Sequence, residues 1–188
     1  MGLEGNLVIL REERPSDMAL LTELRNDLTT QAWSITLPPD FTETMHNKRF
    51  EGREFSYDRQ DGRFMIVDKA SSETIGTIGY SNLQSRWEAT IGLMITRNFW
   101  GAGVAQDTQE IMLKFLFEEL GVRVVRLCTH SGNPRAIALA KKSGFQASYR
   151  QREAIFKSGQ LLDNLQMDLL REEYYDQHPA LTDHLPEL

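Results

Sequence analysis

The sequence predicts an α/β domain built on a mixed sheet, and three observations lead there. Period-two apolar runs alternate with helical ones in the order strand, helices, three strands, helix, strand, helix, two strands. The strand Glu88–Thr96 turns through Gly101 and Gly103, one residue apart, into the strongest helical pattern of the chain. The pattern then closes on two apolar runs joined by Lys157-Ser158-Gly159-Gln160, the signature of a hairpin.

Taken in order, Leu7–Arg11 alternates around Val8 and Leu10 and reads as the first strand. Pro15-Ser16-Asp17 opens a helix whose apolar stripe is Met18, Leu21, Leu24 and Leu28. Trp33 to Asp40 holds Pro38-Pro39 and must be a loop, and Phe41 to about Arg53 is a poorly patterned helix. Arg63–Lys69 and Thr74–Ser81 form an antiparallel pair across Ala70–Glu73, with Gly76 and Gly79 pointing to a bulge. Glu88–Thr96 is the third strand of the sheet's middle. Gly101 to Leu120 carries Ile111, Met112, Phe115 and Leu116 at helical spacing, and Gly121 ends it. Val122–Thr129 is a valine-rich buried strand, Asn133–Ser143 a short helix closed by Gly144, and Phe145–Phe156 with Leu161–Leu170 the hairpin. From Arg171 onward the chain is polar and is expected to fray or pack loosely. The expected organisation is one domain over residues 1–173 with a polar tail at 174–188.

The bulk properties suit that plan. At 188 residues, 40% hydrophobic and 26% charged, the chain can bury a substantial core. No apolar run approaches the roughly 18 residues of a membrane-spanning helix. The start of the chain lacks a basic region and meets Glu4 at once, so no secretory signal is expected; Asn6 spoils the myristoylation pattern. Cys128 is alone and cannot form an internal disulfide, which suggests a reducing cytoplasm. Cysteine-based zinc sites are excluded, the four histidines are scattered, and no metal is expected. A net charge of −6 disfavours nucleic acid, whose phosphates want a basic face, and suits a cationic small molecule or basic peptide. Arg123, Arg126, Lys141 and Lys142 are the residues from which a local basic patch would be made. Oligomeric state stays open, a homodimer included.

Chemistry concentrates in Ile91-Gly92-Leu93-Met94-Ile95-Thr96-Arg97-Asn98-Phe99-Trp100-Gly101-Ala102-Gly103-Val104-Ala105. Glycines where a strand becomes a helix let the backbone approach a ligand closely. The helix start offers unpaired N–H groups and positive dipole character, suited to a pyrophosphate. A dinucleotide fingerprint would want glycine at Gln106, and a Walker loop would want Gly-Lys-Ser/Thr; neither is present. Some 30 residues on comes Asn133-Pro134-Arg135-Ala136-Ile137-Ala138-Leu139-Ala140-Lys141-Lys142-Ser143-Gly144-Phe145, a helix with a cap at each end.

Together the two segments resemble the GNAT superfamily of N-acetyltransferases, particularly its RimJ/RimL-like branch. There the acyl-CoA loop reads Trp-Gly-Lys-Gly-Tyr-Ala; here Trp100-Gly101-Ala102-Gly103-Val104-Ala105 follows Phe99, with Ala102 replacing the lysine. The branch also carries Asn-x-x-Ser-Ile-x-x-x-x-Lys-x-Gly-Phe, matched by Asn133, Ile137, Lys142, Gly144 and Phe145, with Ala136 replacing serine. Ile91-Gly92 fits the branch's Glu-Ile-Gly strand, with Thr90 at the glutamate position. The resemblance covers about residues 7–173.

It implies a central, mostly antiparallel sheet flanked by helices, acetyl-CoA as co-substrate, and an amine as acceptor. The central strand would splay from its neighbour and pair with the pantetheine arm through the backbone of Met94 and Ile95. A strand N–H there would polarise the thioester carbonyl. Asn98, Trp100, Gly101, Ala102, Gly103, Val104 and Ala105 would wrap the pyrophosphate, Asn133 would hydrogen-bond the pantetheine or the acceptor, and Lys142 would approach the 3′-phosphate. The tyrosine that many members use to protonate the thiolate is replaced by Ala140, and Thr90 cannot act as a base. Glu88, on the same strand face as Thr90, is the first candidate base, acting directly or through water. Tyr80 and Asp163 are weaker candidates; His130 is expected to be structural and Cys128 buried. Trp33, Phe41, Phe55 and Tyr57 are candidates to line the amine pocket, and Glu43, Glu51 and Glu54 to attract a cation. The competing reading is an acyl-CoA-binding sensor or scaffold without turnover, motivated by the residues at 90 and 140.

Overall fold

The computed structural model describes residues 3–35, 42–52, 60–84 and 86–179. Strands β1 (Leu3–Glu4), β2 (Val8–Glu12), β3 (Gly62–Asp68), β4 (Thr74–Gln84), β5 (Glu88–Ile95), β6 (Val124–His130), β7 (Gln146–Lys157) and β8 (Gln160–Leu170) form one sheet. Its order is β1-β2-β3-β4-β5-β6-β8-β7, eight strands in all. Every neighbouring pair is antiparallel except β5 and β6, which run parallel. A parallel neighbour needs a crossover, and α4 (Val104–Lys114) with the π-helical turn Phe115–Glu119 supplies it.

Alternation along the strands sorts the two faces. On one, Val8, Leu10, Ile66, Ile78, Ala89, Ile91 and Ile95 pack with Val104, Met112 and Leu116 of the crossover in the main core. On the other, Met65 meets Met18 and Leu21 of α1 (Met18–Asn26), with α2 (Leu28–Gln31) and α3 (Glu43–Glu51) following in sequence. Burying one such aliphatic side chain stabilises by about 1.5–3 kcal/mol, so the main core dominates. At Gly76 no side chain fits between β4 and β5: a Cβ there would lie 2.2 Å from the Met94 carbonyl oxygen. The expected bulge appears opposite it, where the β3–β4 register shifts between Ile66 and Val67.

Several helices start on side-chain caps, of which the sequence singled out Asn133. Thr42 accepts from the Met45 N–H at 3.3 Å to start α3, and Asn133 accepts from the Ala136 N–H at 3.1 Å to start α5 (Pro134–Lys142). Three differences stand out. The long helix starts at Val104 and not at Gly101, because Gly101 and Gly103 hold left-handed backbone, φ +84° and +81°. The valine-rich strand begins at Val124. The segment expected to fray from Arg171 starts instead with α6 (Arg171–Gln177), which buries Tyr174 against Phe117, ring centroids 4.7 Å apart. The Glu173 carboxylate accepts from the Leu170 N–H at 2.9 Å, starting that helix. The loop positions 36–40, Phe41, Arg53, Glu54, Phe55, Tyr57 and the tail from 180 lie outside the described residues.

Candidate active site

The cradle is made of backbone. After β5 a short 3-10 turn, Arg97–Phe99, reverses the chain, and the Trp100 indole N–H donates to the Ile95 carbonyl at 2.8 Å, folding the loop onto its own strand. Left-handed glycines then aim the chain into α4, whose N-cap Gly103 makes no side-chain cap. The first N–H groups of α4 therefore face outward with Gly101, Ala102 and Gly103 beside them, all exposed, while Val104 turns inward as core. An acid in that first turn would oppose an anion, but Asp107 is buried. Its carboxylate accepts from the N–H groups of Asn6, Leu7 and Val8 at 2.9, 2.7 and 3.0 Å, so its charge is spent on the N-terminal segment. Asn98 is exposed beside the loop. Lys142 lines a cleft with Gln106, Glu110, Ser143 and Tyr174, flanking the same helix start.

The strand before the cradle splays. β5 pairs with β6 only from Glu88↔Val124 to Ile91↔Leu127, then continues along β4 to Ile95↔Gly76 while β6 continues along β8 to His130↔Asn164. A gap opens between them. Thr96 donates to its register partner Ile75 at 2.8 Å, which makes Met94↔Thr77 a bonded pair of the same ladder. The peptide groups of Met94 thus face β4, and those of Leu93 and Ile95 face the gap. Of the expected pair Met94 and Ile95, only Ile95 turns its peptide groups to the gap, and its carbonyl is already engaged by Trp100.

Over this gap, on the α1 side, Gly92 is exposed in mid-sheet, and a Cβ there would meet nothing within 4 Å. Cys128 is half-buried on that face, and burial pushes its thiol up. Glu88 lies at the closed end, ion-paired with Arg126 and 3.4 Å from the Gln84 amide. Five residues separate it from Leu93, about 16 Å at ~3.3 Å per residue, so direct contact with an amine in the gap is out of reach. Ala140 is fully buried in the main core, and its methyl offers no acid. Tyr80 packs against Phe115 on the opposite face, and Asp163 is paired with Arg150.

Side chains build the other wall, His130 and Asn133 singled out by the sequence and Lys157 and Arg135 not. The carbonyls of Gln31, Ala32 and Trp33, at the end of α2, accept from Lys157 Nζ (3.0 Å), His130 Nε2 (3.1 Å) and Asn133 Nδ2 (3.0 Å). Each end of the Asn133 amide makes one bond to protein, which leaves its second N–H and second lone pair for the expected contact to pantetheine or the acceptor. Burial depresses both His130 and Lys157; the neutral imidazole carries its proton on Nε2, because a carbonyl only accepts. The Arg135 guanidinium lies between the rings of Trp33 and Trp100, 4.4 and 4.3 Å from their centroids. Only side-chain chemistry at positions without a motif could have signalled Lys157 and Arg135. The basic residues considered as a patch are engaged separately: Arg123 lies over Trp87, Arg126 pairs with Glu88, and Lys141 and Lys142 end α5.

Among the described residues no group of three or more His, Cys, Asp or Glu could hold a metal ion, and no helix is long and apolar enough to cross a membrane. A splayed parallel pair that feeds a backbone anion cradle defines a class, the transferases that seat a pyrophosphate-bearing acyl carrier in such a gap. The model of the GNAT acetyltransferase domain matches residues 8–146, and the chain belongs to that family. It is an acyl-CoA-dependent N-acyltransferase. A protein named uncharacterized N-acetyltransferase p20, from Bacillus licheniformis, is 28% identical over 160 residues, 79% of this chain and 88% of that one. The putative ribosomal N-acetyltransferase YdaF of Bacillus subtilis is 29% identical over 100 residues, 53% of this chain and 55% of that one. The spermidine N-acetyltransferase of Vibrio cholerae, solved with CoA and spermine, superposes with a TM-score of 0.78 at 22% identity, covering 89% of this chain and 98% of that one. At that identity the likeness is one of fold.

Proposed function

We propose that the chain moves an acetyl group from acetyl-CoA to a primary amine, a protein N-terminus or a small-molecule amine, by direct attack in the ternary complex. One observation carries this reading: the open edge of β5 at Leu93 leads in one continuous stretch to the outward N–H groups at Gly101–Ala105. Pantetheine lies along that edge, the pyrophosphate sits in the cradle, and Lys142 reaches the distal phosphate. The Leu93 N–H donates to the thioester carbonyl as negative charge develops there. The amine nitrogen bonds to the carbonyl carbon, the C–S bond breaks, the nitrogen loses a proton, and the thiolate gains one. Positioning supplies most of the rate, since neither Ala140 nor Thr90 can move a proton. Glu88 acts as base through a chain of several waters, the route its distance leaves open.

The Trp-Gly-Ala-Gly-Val-Ala loop and the partial match to a protein named as a ribosomal N-acetyltransferase support the RimJ/RimL-like branch, with protein N-termini among the acceptors. The same reading extends the domain through Gln177 and keeps the chain in the cytoplasm, resting on the single Cys128. It includes a homodimer in which β7, an edge strand with Tyr149 and Phe156 exposed, meets a second copy. Family membership favours turnover over a sensor or scaffold.

Calorimetric titration with acetyl-CoA, with desulfo-CoA and NADH as controls, tests the cofactor; a panel of peptides, polyamines and amino sugars then tests turnover. Absence of saturable acetyl-CoA binding by folded protein would sink the reading. Glu88→Gln is expected to lower kcat by about 100-fold, most strongly at low pH, the scale of general base catalysis. An unaltered pH–rate profile removes Glu88 from the mechanism.

A further inference from the structure

The segment from Gln31 to Ile35 leads out of α2 on the open face of the gap, and the way it is held differs from an ordinary loop. The last carbonyls of a helix have no intrahelical partner. Here the carbonyls of Gln31, the last residue of α2, and of Ala32 and Trp33 after it are taken by side chains from β7, β6 and the start of α5. A lysine at a helix C-terminus also complements the dipole. In the middle of the same segment Trp33 is bonded through its carbonyl to Asn133, and its ring meets Arg135, whose other face meets Trp100. Trp100 belongs to the cradle loop and immediately precedes Gly101.

We propose that Arg135 is a positioning residue, held between Trp33 and Trp100, that couples occupancy of the cradle to the ordering of segment 32–35 on the acceptor side. The inference rests on the acyl-CoA reading above and goes beyond it. A flat guanidinium stacks on two rings at once, which an ammonium does not. When pyrophosphate fixes the loop at Gly101–Ala105, Trp100 stops moving against Ile95, the stack tightens, and Trp33 is fixed with it. The acceptor wall is then set after the cofactor has arrived.

Hydrogen–deuterium exchange of the whole chain, with and without acetyl-CoA, reads this directly. The amides of Ala32, Trp33 and Ser34 donate to Leu28, Thr30 and Gln31 at 2.9, 3.2 and 3.1 Å, so their exchange reports opening of the segment. In the wild-type protein acetyl-CoA slows exchange both at 101–106 and at 32–35. In Arg135→Ala, protection at 101–106 stays, while the ligand-dependent protection at 32–35 falls by about 10-fold, within the usual range of coupling between sites. Arg135→Lys, which keeps charge without the planar stack, behaves like Arg135→Ala, and Trp33→Leu breaks the coupling from the other side. Exchange within β6 reports that each variant is folded. Ligand-dependent protection at 32–35 that survives in Arg135→Ala overturns the proposal. So does a variant that exchanges faster there by the same factor with and without acetyl-CoA, the mark of a merely structural contact. Wild-type protein that shows no protection at 101–106 overturns the cofactor reading itself, a separate failure.

Discussion

Between Thr96 and Ala105 the chain makes its site out of its own backbone, whereas between Gln31 and Trp33 three other elements lend side chains to hold the site in place. The cradle needs only two left-handed glycines and a helix start, all within a dozen consecutive residues. The wall proposed for the acceptor needs Lys157, His130 and Asn133, from 98 to 126 residues away in sequence. A local, backbone-built site tolerates drift elsewhere and binds what every family member binds. A site assembled from distant side chains is tuned by single substitutions, which is where acceptor preference can change without touching the cofactor.

The largest expected effect breaks the cofactor half. Gly103→Glu places a side chain on a φ of +81° and a negative charge in the cradle, and acetyl-CoA affinity should fall by about 100-fold or more, equivalent to about 2.8 kcal/mol. Folded protein that binds as before would mean that the loop is only a turn. A smaller effect separates the halves. Lys157→Met removes a charge-assisted bond of about 1.5–3 kcal/mol from the Gln31 carbonyl, so KM for the amine should rise about tenfold. Acetyl-CoA affinity, measured by calorimetry, should stay within about twofold. Equal losses for both ligands would show that the two walls are one unit.

The smallest effect concerns the start of α2. Hydrogen bonds from the Thr30 and Thr29 hydroxyls hold the Asp27 carboxyl at about 2, down from 3.8. A depressed carboxylate stabilises the folded state above its ordinary pKa, and that contribution is lost as pH falls through the folded value. The cap should therefore be intact at pH 4 and fail toward pH 2, visible in the amide resonances of Thr29 and Thr30. Asp27→Asn should remove this titration, and a midpoint near 4 in the wild type would show that the cap is not formed in solution.

What could be read from the sequence follows the same division. Gly101, Gly103, Asn133 and Gly144 were legible because a turn or a cap restricts the residue type at one position. Which peptide groups of β5 face the gap was not legible: the ladder phase is set by the bond from Thr96 to Ile75, and no pattern within β5 records it. Arg135 and Lys157 were illegible since their partners are aromatic faces and main-chain carbonyls, which carry no complementary letter elsewhere. Helix α6 was missed because Arg-Glu-Glu-Tyr-Tyr-Asp-Gln buries one side chain, Tyr174, and polarity outweighed it.

The bonds from Asn6, Leu7 and Val8 to Asp107 set an order of events during synthesis. They join residues 99 to 101 positions apart, so the first strand waits until α4 has emerged before its three N–H groups find their acceptor. Contacts so distant along the chain form late and slow folding. A growing chain that has made every residue of the cradle but not yet docked its own beginning would carry Asp107 without its three N–H donors beside the anion site. The ability to hold its carrier thus arrives only with the closed molecule, and a shortened N-terminus should forfeit it.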